Sequence, residues 1–175
     1  MNRMQRKKYT KQIIKNSFLK IKEKKALSDI TITELCKKAE ISRPTFYKYY
    51  NNTLDVLDNI LEDIYDTCYF PDEVPSLQEP KNTDYRKYPL CKLIREHNDL
   101  HGIFLDESLN QHIIDFLLHH KINCYEKEQL LFFQFQMHGC FSVIQKSIHL
   151  PEKEWNEAIN QTHEIVKYSL KLFQN

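Results

Sequence analysis

The spacing of apolar residues along the 175-residue chain predicts helices through most of its length. Ile13, Ile14, Phe18 and Ile21 recur at helical intervals and form one apolar stripe. We predict a helix that begins near Thr10, after a basic and polar N-terminal stretch that we expect to be frayed over residues 1–9. The chain therefore opens on an amphipathic helix with a single face to bury.

Helix-capping signals then divide the following residues into short helices. Thr31 and Glu34 fit a capping box, which predicts a short helix that stops near residue 40. Ser42 offers the next N-cap, with Pro44 in the first turn, where its missing N–H costs little. The helix that follows can extend only to Tyr50.

A third cap and a proline-rich stretch organise the rest of the chain. Asn52 opens a helix with a regular apolar side. Four prolines punctuate the polar residues 71–89, for which we predict a loop. Beyond them the pattern predicts four more helices, over 90–104, 107–122, 126–149 and 152–173. The helix over 126–149 is apolar on more than one face, which indicates a central helix or one packed against a second chain.

Composition supports an all-α fold and excludes several classes of protein. The chain has only two glycines, which disfavours tight hairpins, while 41% hydrophobic residues can fill a core. Its five cysteines are widely spaced and contain no C-x-x-C pair, so neither a disulfide framework nor a zinc ribbon is expected. No signal peptide and no apolar run near 18 residues are evident, so we expect a cytoplasmic protein.

The charges are strongly segregated along the chain. Residues 1–53 hold 14 of the 25 Lys and Arg residues but only 4 of the 24 acidic residues, a net charge of +10. The remainder, with 11 basic and 20 acidic residues, carries −9. A basic head on an acidic body suggests that only the head meets a polyanion.

The residues from Thr31 to Tyr50 carry the most specific signal. A short capped helix, a tight turn and a second short helix form the arrangement by which proteins insert a helix into the major groove. Arg can bond a guanine edge, Thr can offer its methyl to thymine, and Tyr hydroxyls and helix amides can bind phosphates. We assign Phe46 and Tyr50 to the core. We expect DNA contacts from Thr31, Thr33, Ser42, Arg43, Pro44, Thr45, Tyr47, Lys48 and Tyr49.

At these residues the chain resembles the tetracycline-repressor (TetR) family of transcription regulators. Residues 30–50, ITITELCKKAEISRPTFYKYY, are similar to that family's pattern I-T-x-x-x-I-A-x-x-A-G-V-S-x-x-T-L-Y-x-H-F. The resemblance extends from about Tyr9 to Leu61. Within the family, the motif Arg-x-Thr-Phe-Tyr at residues 43–47 resembles the corresponding sequence of regulators of dihydroxyacetone kinase.

The resemblance implies an all-helical homodimer with two domains. Residues 1–53 would form the helix–turn–helix DNA-binding domain and residues 54–175 a helical regulatory and dimerisation domain. The helices near 126–149 and 152–173 would pair across a two-fold axis. The implied function is a repressor that binds a near-palindromic DNA operator and is released by a small-molecule inducer.

Two residues depart from the family pattern. Glu40 replaces the glycine usual in the turn, and it would be strained by about 1 kcal/mol if this position requires a positive φ. Thr53 stands where the family usually has a lysine that contacts phosphate.

Two other classes of function remain to be compared with the repressor. In one, the helical body binds a protein partner instead of a small ligand; an enclosed cavity would favour the ligand, and an exposed apolar groove the partner. An enzyme is not expected, because the sequence has no Gly-rich phosphate loop, nucleophile elbow or metal-binding motif. No cofactor and no metal are expected, and the sequence does not identify ligand-binding residues, the inducer or the operator.

Overall fold

The computed structural model describes residues 2–69, 88–121 and 127–173, and these are helical almost throughout. The all-α prediction is confirmed, with one short exception, a parallel two-residue pairing of β1 (Cys68–Tyr69) with β2 (Tyr88–Pro89). The helices are α1 (Arg3–Lys22), α2 (Ile32–Lys38), α3 (Arg43–Tyr47), α4 (Thr53–Thr67), α5 (Leu90–Glu96), α6 (His101–Phe104), α7 (Asn110–Lys121), α8 (Lys127–Ser147) and α9 (Glu152–Phe173).

These elements form two compact units. The first unit comprises the described residues up to Asp66 together with Asn98–Asp106. The second comprises the described residues of Thr67–His97 and Glu107–Asn175. Residues 53 and 54 were the expected boundary between two functional domains, and this boundary stays a prediction. It does not coincide with the boundary between the packing units, because almost all of α4 belongs to the first unit.

The first helix begins earlier than the apolar stripe indicated. It starts at Arg3, because Asn2 and Gln5 form a reciprocal capping box in which the side chain of each accepts from the backbone N–H of the other. The expectation of frayed residues 1–9 is therefore wrong for the described residues 2–9. Ile14 and Phe18 of the predicted stripe are fully buried.

A short segment that follows α5 completes the first unit. The helix predicted over 90–104 is interrupted at His97, and residues 98–106 form a 3₁₀ turn, α6 and the chain that follows it. Gly102 of α6 packs against the end of α1 so closely that an added Cβ would lie 2.9 Å from backbone atoms of Lys22 and Glu23. Only glycine fits there without a backbone shift.

The second unit contains the long C-terminal helices. The helices predicted over 107–122, 126–149 and 152–173 correspond to α7 with its preceding 3₁₀ turn, to α8 and to α9. Their core contains buried side chains from all three helices, among them Ile113, Ile114, Phe132, Phe141 and Trp155. Of the loop predicted over 71–89, residues 71–87 lie outside the described residues.

Candidate nucleic-acid interface

The turn between α2 and α3 is closed by backbone hydrogen bonds. The N–H of Ile41 donates to the carbonyl of Cys36 at 3.0 Å, and the N–H of Glu40 donates to Lys37 at 3.3 Å. These two bonds define a Schellman motif, whose C′ residue must adopt the left-handed conformation. Glu40 occupies that position with φ 54°, where glycine is preferred. The positive φ on which the expected strain depends is therefore present, and the cost of about 1 kcal/mol stays a prediction.

Both short helices have side-chain caps at their N-termini. The Thr31 hydroxyl oxygen accepts from the Glu34 N–H at 3.1 Å, and the Ser42 oxygen accepts from the Thr45 N–H at 3.3 Å. Glu34 does not complete the predicted capping box; its carboxylate accepts from Lys25 instead, at 2.8 and 3.0 Å. Thr31 and Ser42 are exposed, so their helix ends are accessible from solvent.

The face of α3 that was predicted to meet DNA is open to solvent. Arg43, Pro44 and Lys48 are exposed, and the Tyr47 side chain is 49% exposed. The other predicted contact residues are exposed at Thr33 and partly exposed at Thr45 and Tyr49. All nine side chains are thus placed where an external ligand can contact them.

Two of these side chains touch each other. The Arg43 guanidinium lies 3.5 Å from the Tyr47 hydroxyl oxygen, one helical turn away. This contact raises the pKa of Arg43 above its ordinary value, so the side chain remains a cation at every physiological pH. The pair presents a fixed charge beside an aromatic ring.

The opposite face of α3 is anchored in the core. Phe46 is fully buried, and the Tyr50 hydroxyl donates to the Asn59 side-chain oxygen on α4 at 2.7 Å. Lys11 of α1 contacts the same oxygen at 3.5 Å, and its ammonium lies 5.3 Å from the centroid of the Tyr50 ring. Burial, together with the charge of Asp63, raises the pKa of Tyr50, so the hydroxyl remains a donor. Two helices, α1 and α4, therefore contact the C-terminal end of α3 from behind.

Several cations of the first unit are paired inside the protein. Lys15 pairs with Asp63, Lys22 with Asp106 at 2.6 Å, and Lys25 with Glu34. The Lys15 and Lys22 side chains are almost fully buried. Sequence reasoning missed both buried pairs, although a lysine inside an apolar stripe is a signal that a carboxylate must lie opposite it. The paired cations support the fold and contribute little to an external field.

Comparison with known proteins identifies the chemistry of this region. Residues 20–64, from the end of α1 through α4, match the family model of the Cro/C1-type HTH DNA-binding domain. The chain carries a helix–turn–helix DNA-binding domain. The match includes the Schellman turn, both capped helices and the buried face of α3. Membership of the TetR family is a narrower statement, which this match does not make.

A solved structure shares the fold of almost the whole chain. It is described as "Dihydroxyacetone kinase operon activator DhaS" and superposes with a TM-score of 0.52 at 18% sequence identity. The similarity covers 91% of this chain and 97% of that one. No curated protein matches the chain in sequence. A transcription regulator therefore has the same fold as the chain.

The described part of the second unit contains surface grooves. One groove of about 410 Å³ lies between α5 and α9 and is lined by Cys91, Lys92, Arg95, Glu96, Glu152, Trp155, Asn156, Ile159 and His163. Another, of about 360 Å³, lies between α7 and α8 and includes Leu118, Leu130 and Leu131. Both grooves lie within the second unit and are large enough to contact a small molecule.

Other chemistry predicted or considered for the body can be compared with the structure. Among the described residues, no group of three or more His, Cys, Asp or Glu side chains is placed to hold a metal ion. A redox role for Cys140 would require a lowered pKa, whereas burial raises the pKa of this thiol to about 11. Cys124 lies outside the described residues. No helix in the described ranges is long and apolar enough to cross a membrane.

Proposed function

We propose that this chain is a cytoplasmic, TetR-like transcriptional regulator that binds a near-palindromic operator as a homodimer. The observation that carries the proposal is the exposed face of α3, which presents Arg43, Tyr47 and Lys48 while Phe46 and Tyr50 anchor the helix in the core. A helix of this kind suits insertion into the major groove. The nine predicted contact residues are the proposed DNA-binding set.

The second unit offers a surface for the second copy. Leu131 and Phe135 are 61% and 71% exposed and lie four residues apart on α8. On α9, Ile165 and Tyr168 are 67% and 64% exposed and lie three residues apart. Apolar side chains of this size are seldom left in water in such pairs. Gly139 also lies on the exposed side of α8, and an added Cβ would meet nothing within 4 Å, so a partner helix can approach closely there.

We propose that a small molecule binds the second unit and changes the affinity for DNA, with a coupling of about 1–3 kcal/mol. The alternative is a protein partner, which the exposed apolar pairs on α8 and α9 also suit. We propose that the chain represses transcription, although the structural neighbour is named as an activator. Transcription from a promoter that carries the operator, measured with and without the protein, distinguishes repression from activation.

The first experiment is a DNA-binding titration. The wild-type protein would select duplexes from a randomised library, and fluorescence anisotropy would compare the enriched duplex with a scrambled duplex of equal composition. We expect nanomolar, salt-sensitive binding to the enriched duplex and much weaker binding to the scrambled one. No preference between the two duplexes at any salt concentration would contradict the proposal.

Substitutions on α3 locate the interface. We expect Tyr47→Ala and Lys48→Ala each to weaken operator binding about tenfold without changing the oligomeric state, because both residues are exposed and lie in the first unit, whereas the proposed dimer surface lies on α8 and α9. Sedimentation would verify that the dimer is intact. If the dimer were lost in either variant, α3 would have been assigned the wrong role.

A substitution on α8 tests the homodimer. Phe135→Lys should shift the protein to monomers, because it would bury a charge in the proposed interface. Asn160→Lys adds the same charge at an exposed position on α9, away from the apolar pairs, and should leave the dimer intact. A wild-type protein that sediments as a monomer at micromolar concentration would overturn the dimer proposal.

A further inference from the structure

The N-terminal turns of α1 form a basic surface that the helix–turn–helix itself does not account for. Arg3, Arg6, Lys7 and Lys8 are all exposed, and the first turn contains no acidic residue. Every residue of the helix from Arg3 to Tyr9 is exposed, so seven residues, or roughly 10 Å of helix, extend beyond the core. No ion pair joins the four cations to any described carboxylate, in contrast to Lys15 further along the helix.

Two contacts determine where this surface lies. Lys11 meets Asn59, and Lys15 pairs with Asp63; both contacts join residues that are 48 positions apart. A constant separation means that α1 and α4 run in the same direction along each other. Lys7 precedes Lys11 by about one turn on the same face, so it lies level with the first turn of α4. Arg3 lies about one turn further out.

The same contacts place the surface next to the recognition helix. The ammonium of Lys11 lies 5.3 Å from the ring centroid of Tyr50, the residue at the junction between α3 and α4. From Asn51 to Thr67 the chain contains no Lys, Arg or His residue. α4 therefore supplies no cation of its own, and the cations of α1 lie alongside it.

The four cations lie at the end of α1 where the helix dipole disfavours positive charge. A helix N-terminus already carries a positive partial charge, so Lys and Arg are disfavoured in the first turns. Here the capping box of Asn2 and Gln5 stabilises the start of the helix, and all the charged residues in its first two turns are cations. A local violation of this kind is resolved when an anion binds alongside. Side-chain charge and helix dipole thus favour the same class of ligand, an extended polyanion.

We propose that Arg3, Arg6, Lys7 and Lys8 form a phosphate-binding surface on α1 that contacts the DNA backbone while α3 contacts the bases. This inference rests on the proposed function. The surface supplies affinity without sequence preference, because phosphates are the same at every base pair. It also compensates for Thr53 at the start of α4, which replaces the phosphate-contacting lysine usual in the family that the sequence resembles.

The test uses the full-length protein and a pair of double variants on the same helix. Lys7→Gln/Lys8→Gln removes two charges from the proposed surface, while Lys20→Gln/Lys24→Gln removes two exposed charges from the far end of α1 and the turn after it. Glutamine keeps a high helix propensity, and losing cations near the N-terminus should not lower the melting temperature. Weaker binding could then not be ascribed to unfolding.

The readout is the dependence of affinity on salt, measured with the enriched and the scrambled duplex. For Lys7→Gln/Lys8→Gln we expect binding to both duplexes to weaken by roughly tenfold or more at about 0.15 M salt. The slope of log Kd against log salt should fall by about 2 to 4, because the homodimer loses four cations, and the preference between the duplexes should not change. The Lys20→Gln/Lys24→Gln protein should behave as wild type.

The possible failures are distinguishable. A slope that is unchanged in Lys7→Gln/Lys8→Gln, or lowered equally in both double variants, would overturn the α1 surface while leaving the recognition helix intact. A change in the preference between duplexes would also overturn it, because base contacts would then be involved. Absence of any preference in the wild-type protein would instead contradict the proposed function itself.

Discussion

The two compact units expose large apolar side chains in different surroundings. In the first unit, Met4, Tyr9 and Tyr47 are exposed among cations of α1 and α3. In the second unit, the exposed apolar residues form pairs at helical spacing, Leu131 with Phe135 and Ile165 with Tyr168. Aromatic groups among cations suit a polyanion, whereas contiguous apolar pairs suit another protein surface.

The function of the first unit is therefore easier to predict from sequence than that of the second. The function of the first unit depends on local features: two capped helices, a closed turn and an exposed basic face. The role of the second depends on what covers its surface, and the covering molecule is not encoded in any local pattern.

The internal stability of the first unit should depend on the buried Lys22–Asp106 pair. Lys22 is 3% exposed in its side chain, so Asp106→Ala would leave an ammonium buried without its carboxylate. We expect a loss of about 3 kcal/mol in the free energy of unfolding, measured by urea denaturation. Asp63→Ala also leaves an almost fully buried ammonium, that of Lys15, but Asp63 is 55% exposed and water screens its side of the pair, so its loss should cost less, about 1–2 kcal/mol. Equal costs for the two variants would contradict this reading of the pairs.

The two glycines provide a direct comparison between the units. Gly102→Ala would push a Cβ against the backbone at the end of α1, so it should destabilise the protein by about 1–3 kcal/mol. Gly139→Ala meets open space and should stabilise isolated α8 by up to about 1 kcal/mol through helix propensity.

Thermal denaturation and sedimentation of both variants separate the two effects. If α8 meets a second copy at Gly139, the Gly139→Ala protein should also dimerise more weakly. A Gly102→Ala protein as stable as the wild type would show that the end of α1 can move away without cost.

The turn of the helix–turn–helix carries the smallest predicted effect. Glu40 holds a φ of 54°, so Glu40→Gly should raise the stability by about 1 kcal/mol. Glu40→Ala keeps the Cβ and serves as the control, with little change expected. The measurement is the urea midpoint of each variant. A Glu40→Gly protein less stable than the wild type would show that the glutamate side chain, and not its backbone strain, dominates at this position.

The residues predicted from sequence were those governed by local rules. Thr31, Ser42 and Pro44 determine where helices begin, and the structure places α2 and α3 accordingly. The strained Glu40 was also predictable, because a Schellman turn requires a left-handed residue after the helix. The capping box of Asn2 and Gln5 was equally local, but the expectation of a frayed terminus concealed it.

Features that depend on distant residues could not be predicted in the same way. The segment 98–106 belongs to the first unit, where Gly102 packs against the end of α1. The apolar pattern instead predicts that most of this segment continues a single helix from residue 90. The partners of Lys15 and Lys22 lie 48 and 84 positions away along the chain. Long-range pairs of this kind follow from packing geometry, which periodicity alone does not specify.

Arg43→Ala determines whether α3 contacts the bases of a specific DNA site. The measurement is the ratio of Kd values for the scrambled and the enriched duplex, determined for wild type and variant at the same salt concentration. A contact between Arg43 and a base predicts that the ratio falls by roughly 10- to 100-fold in Arg43→Ala. An unchanged ratio, with both duplexes bound equally less well, would contradict it.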